Sequence, residues 1–150
     1  MESYEKILEG IREEVSFGYE TIRVYREPGL QALQIGYSIN SLGELLTGEQ
    51  AGDWQREWVG DPVCIDSLAK GFPVYTAIHG EGSWEAKQIA VSLEAFGRAL
   101  SAVAAIANWR EHPVALENNP LTQSEKQTTL AAIQRDNPGL DLQFWELLLS

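Results

Sequence analysis

The sequence predicts an α+β fold, with a central, largely antiparallel β-sheet flanked by helices, in a single domain that finishes in C-terminal helices. Three observations point there. Strand-like runs between residues 61 and 92 are joined by links too short to house parallel crossovers. From Ser92 onward the apolar spacing changes from alternation to a helical period. Thr122 and Glu125 then stand at the spacing of a helix capping box.

At the amino-terminal end, residues 4–16 place Tyr4, Ile7, Leu8, Ile11 and Val15 on one helical face, with Ser3 as N-cap. The run "GYETIRVYRE" (18–27) alternates as a strand does and is stopped by Pro28-Gly29. A second strand is expected in "LQALQIGYS" (30–38). Residues 38–60 are less regular, and within them Asp53 caps a short turn that sets Trp54 and Trp58 on one side.

Two further strand-like runs, "DPVCIDSL" (61–68) and "FPVYTAIHG" (72–80), are separated by a turn at Ala69-Lys70-Gly71. In the second, Val74, Thr76 and Ile78 share one face, and Tyr75, Ala77 and His79 the other. With "SWEAKQIAVS" (83–92) they form an antiparallel meander. Ser92 then caps a helix over 92–111 whose stripe is Leu93, Phe96, Leu100, Val103 and Ala107, and whose alanines imply close approach to the sheet. A loop containing Pro113 and Pro120 follows. The Thr122–Glu125 box opens a helix running to about Arg135, "DNPGLD" ends it, and Asp141 caps a last short helix with Leu142, Trp145, Leu148 and Leu149.

Composition narrows the function classes. The 150 residues suggest one domain, 1–150, and are enough to build a core without disulfides or metals. The one cysteine, Cys64, allows no intramolecular disulfide and reads as a small buried hydrophobe. Eleven basic against 22 acidic residues give a net charge of −11. Such a surface disfavours nucleic acid and anionic lipid and steers a basic partner toward it. The charged start "MESYEKILEG" is not a signal peptide, and the apolar run "ALSAVAAIANW" falls short of the roughly 20 residues a bilayer demands. A cytoplasmic protein without a membrane span is the expectation.

The most unusual stretch is "PVYTAIHGEGSWE" (73–85), a strand that runs into a glycine-flanked loop. Its Gly80-x-Gly82 lacks the third glycine of a dinucleotide fingerprint, because Glu85 stands there, and Glu81 and Glu85 would repel a pyrophosphate. Ser83 is not in a nucleophile elbow, since Trp84 follows it directly. The two histidines, His79 and His112, and Cys64 lie far apart with no metal-ligand spacing. No cofactor, no metal and no catalytic residue is expected. Gly80 and Gly82 suit a loop between strands, Trp84 covers the end of the sheet, and His79 and Glu85 hydrogen-bond backbone freed at the loop.

The order Trp58, Gly60-Asp61-Pro62, Asp66, Pro73-Val74-Tyr75, His79-Gly80, Trp84, Ser92 and Phe96 resembles the core signature of SUKH-superfamily domains, bacterial relatives of the yeast cell-wall regulators of the Smi/Knr type. The resemblance is carried by residues 58–100, with residues 111–150 as a C-terminal helical extension. It implies an α+β fold and a non-enzymatic role, because many bacterial members are immunity proteins that bind and neutralise toxins, often nucleases. On that account the partner is a basic toxin domain. On the resemblance, Asp53, Glu57, Asp61, Glu81 and Glu85 form a carboxylate-rich rim, Trp54, Trp58 or Trp84 supplies an anchor, and His79 belongs to the partner-binding set. A regulatory or scaffold domain without a toxin is the second reading. A small hydrolase using His79 with Glu81 or Glu85 is the third, and His79→Ala separates it by abolishing turnover in a folded chain.

Overall fold

The computed structural model describes residues 3–12, 14–24, 63–66, 69–76 and 87–150. Among them the chain forms five helices and five strands, a mixed α+β architecture. The expected strand at 30–38, the turn capped by Asp53 and the Cys64 side chain lie outside the described residues.

Helix α1 (Tyr4–Glu9) begins as the sequence indicates, with the Ser3 hydroxyl accepting the Lys6 N–H at 3.3 Å. It ends at Gly10, well short of the helix expected over 4–16. The next element is β1 (Glu14–Phe17), so Val15 reaches the core from a strand. The reason lies in its neighbours: Val15 and Phe17 are buried while Glu14 is exposed, an alternation that fits a strand and not a helix. β1 pairs antiparallel with β2 (Glu20–Arg23) in the register Val15↔Ile22 and Phe17↔Glu20. Gly18, at φ +57°, makes the tight turn, and a side chain there would collide with Leu116, 2.8 Å from the position of a Cβ.

The meander is present as expected. β3 (Val63–Ile65), β4 (Val74–Thr76) and β5 (Lys87–Ala90) form an antiparallel sheet in that order. The turn at residues 69–71 closes through the Phe72 N–H donating to the Ala69 carbonyl at 3.2 Å. The described strands fall into two small antiparallel sheets, β1-β2 and β3-β4-β5, within the antiparallel α+β fold expected.

Helix α2 (Leu93–Ala107) joins the two. Its N-cap Ser92 accepts the Ala95 N–H at 3.0 Å, and Leu93, Phe96, Leu100, Val103 and Ala107 are all buried as the stripe requires. It packs on α1, β1 and β5 and on helix α4 (Gln123–Asp136). Gly97 lets α1's end approach, because a Cβ there would sit 2.9 Å from Ile11. Each fully buried side chain of Leu or Phe size contributes roughly 1.5–3 kcal/mol, so this helix carries a large share of the core.

The expected helix over 92–111 stops at Ala107 because Asn108 turns to an extended backbone and Trp109 to a left-handed one. The loop expected around Pro113 is instead a short helix, α3 (Pro113–Asn118), with proline in its first turn, where a missing N–H costs nothing. α4 carries the full capping box between Thr122 and Glu125. The last helix, α5 (Gln143–Leu148), has Leu142 at its N-cap position, not Asp141. Asp141 still serves the first turn, accepting the Gln143 N–H at 2.9 Å. Trp145 is fully buried, stacks edge-on to Phe144 at 5.0 Å, and donates its indole N–H to the Ile89 carbonyl of β5 at 2.8 Å.

Candidate functional site

The residues that the sequence marks as a binding surface, Asp53, Trp54, Glu57, Trp58, Asp61, His79, Glu81, Trp84 and Glu85, all lie outside the described residues. A different place draws attention. It is the corner where the β1–β2 turn meets the segment between α2 and α3.

The corner is built from the inside out. Arg110 is 7 % exposed, and its guanidinium is spent on the protein itself. Nη1 and Nη2 donate to the two carboxylate oxygens of Glu125, each at 3.0 Å, a bidentate pair. Nε donates to the Asn119 carbonyl at 2.8 Å, and Nη1 also reaches the Ile106 carbonyl at 3.0 Å. One side chain thus ties together the last turn of α2, the end of α3 and the start of α4. Glu125 additionally accepts the Thr122 N–H at 3.1 Å. The Arg110 guanidinium first, and Thr122 second, lower the Glu125 carboxyl to a pKa of about 2. A buried cation needs such a partner, because an unpaired charge there would be strongly disfavoured.

The backbone of the same residue reaches the other way. The Gly18 N–H donates to the Arg110 carbonyl at 2.7 Å, and Leu116 of α3 lies against Gly18. On either side of this bond stand two exposed aromatics, Tyr19 at 83 % and Trp109 at 79 %. Val114, on α3, is also exposed.

Trp109 has φ +67°, a conformation that costs an ordinary residue roughly 1–2 kcal/mol. It is held there by its neighbours: the Trp109 N–H donates to the Glu111 carboxylate at 3.1 Å, and the Arg110 N–H donates to the Ala107 carbonyl at 2.9 Å. The Glu111 carboxyl is lowered below its ordinary range, first by its own backbone N–H and then by that of Trp109. His112 caps α3, its Nδ1 accepting the Ala115 N–H at 3.1 Å. The tryptophan is therefore displayed outward on a frame fixed from three sides.

Chemically the corner offers aromatic faces and carboxylates. The charged side chains of segments 18–20 and 108–119 are Glu20, Glu111 and Glu117, the cap His112, and Arg110, which is buried and neutralised by Glu125. Among the described residues, no group of His, Cys, Asp and Glu is arranged to hold a metal ion, and no helix is long and apolar enough to cross a membrane.

Sequence reasoning passed over Trp109 and Tyr19, yet a signal for the first exists. Trp109 falls off the stripe that runs Leu93, Phe96, Leu100, Val103 and Ala107, so a continued helix would already have turned it outward. Tyr19 carries no such mark beyond its place next to Gly18. No family model matches the chain, and no curated protein or solved structure matches it either.

Proposed function

We propose that this chain is a non-enzymatic protein-binding module of the cytoplasm, an immunity protein that neutralises a bacterial toxin with a basic surface, such as a nuclease domain, by direct binding. One observation carries the binding part of this reading. Trp109 is 79 % exposed, and its left-handed backbone is held by the Glu111 and Ala107 hydrogen bonds, so a large apolar ring is presented to solvent on a fixed main chain. Tryptophan is among the residue types most enriched as interface anchors, and a partner would bury the apolar ring that the isolated chain leaves in water.

Two further features support the toxin part. The resemblance in residues 58–100 is to a superfamily with many immunity proteins. The net charge of −11 favours fast, steered encounter with a partner that carries clustered Lys and Arg to hold phosphates.

The test is genetic and then physical. Each gene neighbouring the one for this chain is expressed alone and then together with it. The expected result is a product that arrests growth alone and is silent in the pair, and that co-purifies with this chain. A neighbourhood with no growth-arresting product, or an arrest that this chain does not relieve, would sink the toxin reading.

A further inference from the structure

The exposed corner at Tyr19 and Trp109 has a charge pattern that selects its occupant. We infer that it is a docking seat for a cationic segment of a partner protein, with an arginine or lysine side chain lying over the Trp109 face and flanked by the carboxylates of Glu20, Glu111 and Glu117. The inference rests on the reading of the chain as a protein-binding module and adds where the partner docks and what chemistry it presents.

The aromatic component comes first. A tryptophan face is the strongest aromatic attractor for a guanidinium or ammonium group, and Tyr19 is a second such ring across the Gly18–Arg110 hydrogen bond. The rings stand on a backbone fixed by the Trp109 N–H bond to Glu111 and by the Arg110–Glu125 pair behind it. A backbone held in place before binding loses little main-chain freedom when the seat is occupied.

The charges make the choice of partner. On the segments that form the corner, the exposed ionised groups are carboxylates. The one guanidinium there, Arg110, is buried and satisfied by Glu125, so it neither repels an incoming cation nor attracts an anion. An acidic or phosphorylated segment would meet like charge from Glu20, Glu111 and Glu117 on those segments. A purely apolar one would leave the carboxylate rim desolvated without partners. A second copy of this chain brings another −11 and is disfavoured on the same ground.

The experiment uses the full chain labelled with nitrogen-15 and a short peptide of alternating arginine and glycine, with the glutamate–glycine peptide as control. The expected result is a saturable shift of the Trp109 indole N–H and of the Tyr19 and Glu20 amides with the arginine peptide alone. Trp109→Ala should weaken binding roughly tenfold, and Trp109→Asn, which tolerates the left-handed backbone, should do the same in a folded chain. Leu147→Ala, at an exposed leucine on α5, should leave the affinity unchanged. Shifts that map elsewhere, or an affinity indifferent to both Trp109 variants, would overturn the seat. So would sedimentation showing a dimer that Trp109→Ala converts to monomer, since the occupant would then be a second copy. Growth rescue separates the two readings: rescue that survives Trp109→Asn removes the seat and spares the toxin reading. A seat that binds the peptide in a chain unable to rescue does the reverse.

Discussion

The Oδ1 of Asn137 accepts the Val91 N–H at 2.8 Å, a bond that joins the end of α4 to the junction of β5 and α2 across 46 residues of sequence. Asn137 is fully buried, and its Nδ2 donates to the Ile133 carbonyl at 2.9 Å, so both ends of the amide are used. Replacing it by alanine strands the half-buried Val91 N–H and leaves a cavity. Asn137→Ala is expected to lower unfolding stability by about 2–3 kcal/mol in urea titration, and Asn137→Asp to be no better, because it replaces the donor with a charge.

The Arg110–Glu125 pair predicts an acid-sensitive corner. A carboxyl with a folded pKa near 2, below its ordinary 4.5, contributes stability that is complete above pH 4.5 and lost as the pH falls toward 2. Glu125→Gln should flatten this part of the stability profile, measured by thermal melts between pH 6 and pH 2. Arg110→Ala should lower the melting temperature at neutral pH by roughly 10 °C, since it also strips the Asn119 and Ile106 carbonyls of their donor.

Trp109 should show stability and function pulling apart. Its side chain is mostly in solvent and its backbone is left-handed, so Trp109→Asn should leave stability within about 1 kcal/mol of the parent, while partner binding weakens. A destabilisation of several kcal/mol by calorimetry would instead mark the tryptophan as part of the fold.

Gly18 permits the opposite outcome. With φ +57° and Leu116 2.8 Å from where a Cβ would stand, Gly18→Ala is expected to cost at least 1–2 kcal/mol and to disturb the hairpin, seen as loss of hydrogen-exchange protection at the Gly18 amide.

Trp145 separates hydrogen bonding from packing. Trp145→Phe retains most of the contact with Phe96 and Phe144 but leaves the Ile89 carbonyl without its donor, an expected loss of about 1–3 kcal/mol. Trp145→Ala should cost about 3–5 kcal/mol, and comparing the two in urea apportions the docking of α5.

Local patterns were the legible part of this fold. The Ser92 cap, the Leu93-to-Ala107 stripe, the Thr122–Glu125 box and the meander through Val63, Val74 and Ile89 are set by neighbours within a few residues, and each stands where its pattern puts it. Val15 misled because it also completes a helical face with Ile11, and only the Glu14–Phe17 alternation opposes that face. Pro113 reads as a loop residue unless the helix that follows it is seen. The corner itself was illegible for a different reason. Arg110 looks like an ordinary surface cation in the chain, and its burial depends on Glu125, fifteen positions later, and on a turn at Gly18 more than ninety positions earlier. The residues expected to bind, from Asp53 to Glu85, lie outside the described residues.

The Gly18–Arg110–Glu125 chain of bonds also imposes an order on biosynthesis. The hairpin is made early, yet the groups that seat its turn, the Arg110 carbonyl and the Leu116 side chain, emerge from the ribosome more than ninety residues later. Until α2, which packs on β1, has also emerged, Val15 and Phe17 present an uncovered apolar strand, the kind of surface that chaperones shield. A slow stretch of translation before Ala107 would lengthen that exposure, and one placed after Leu116 would not.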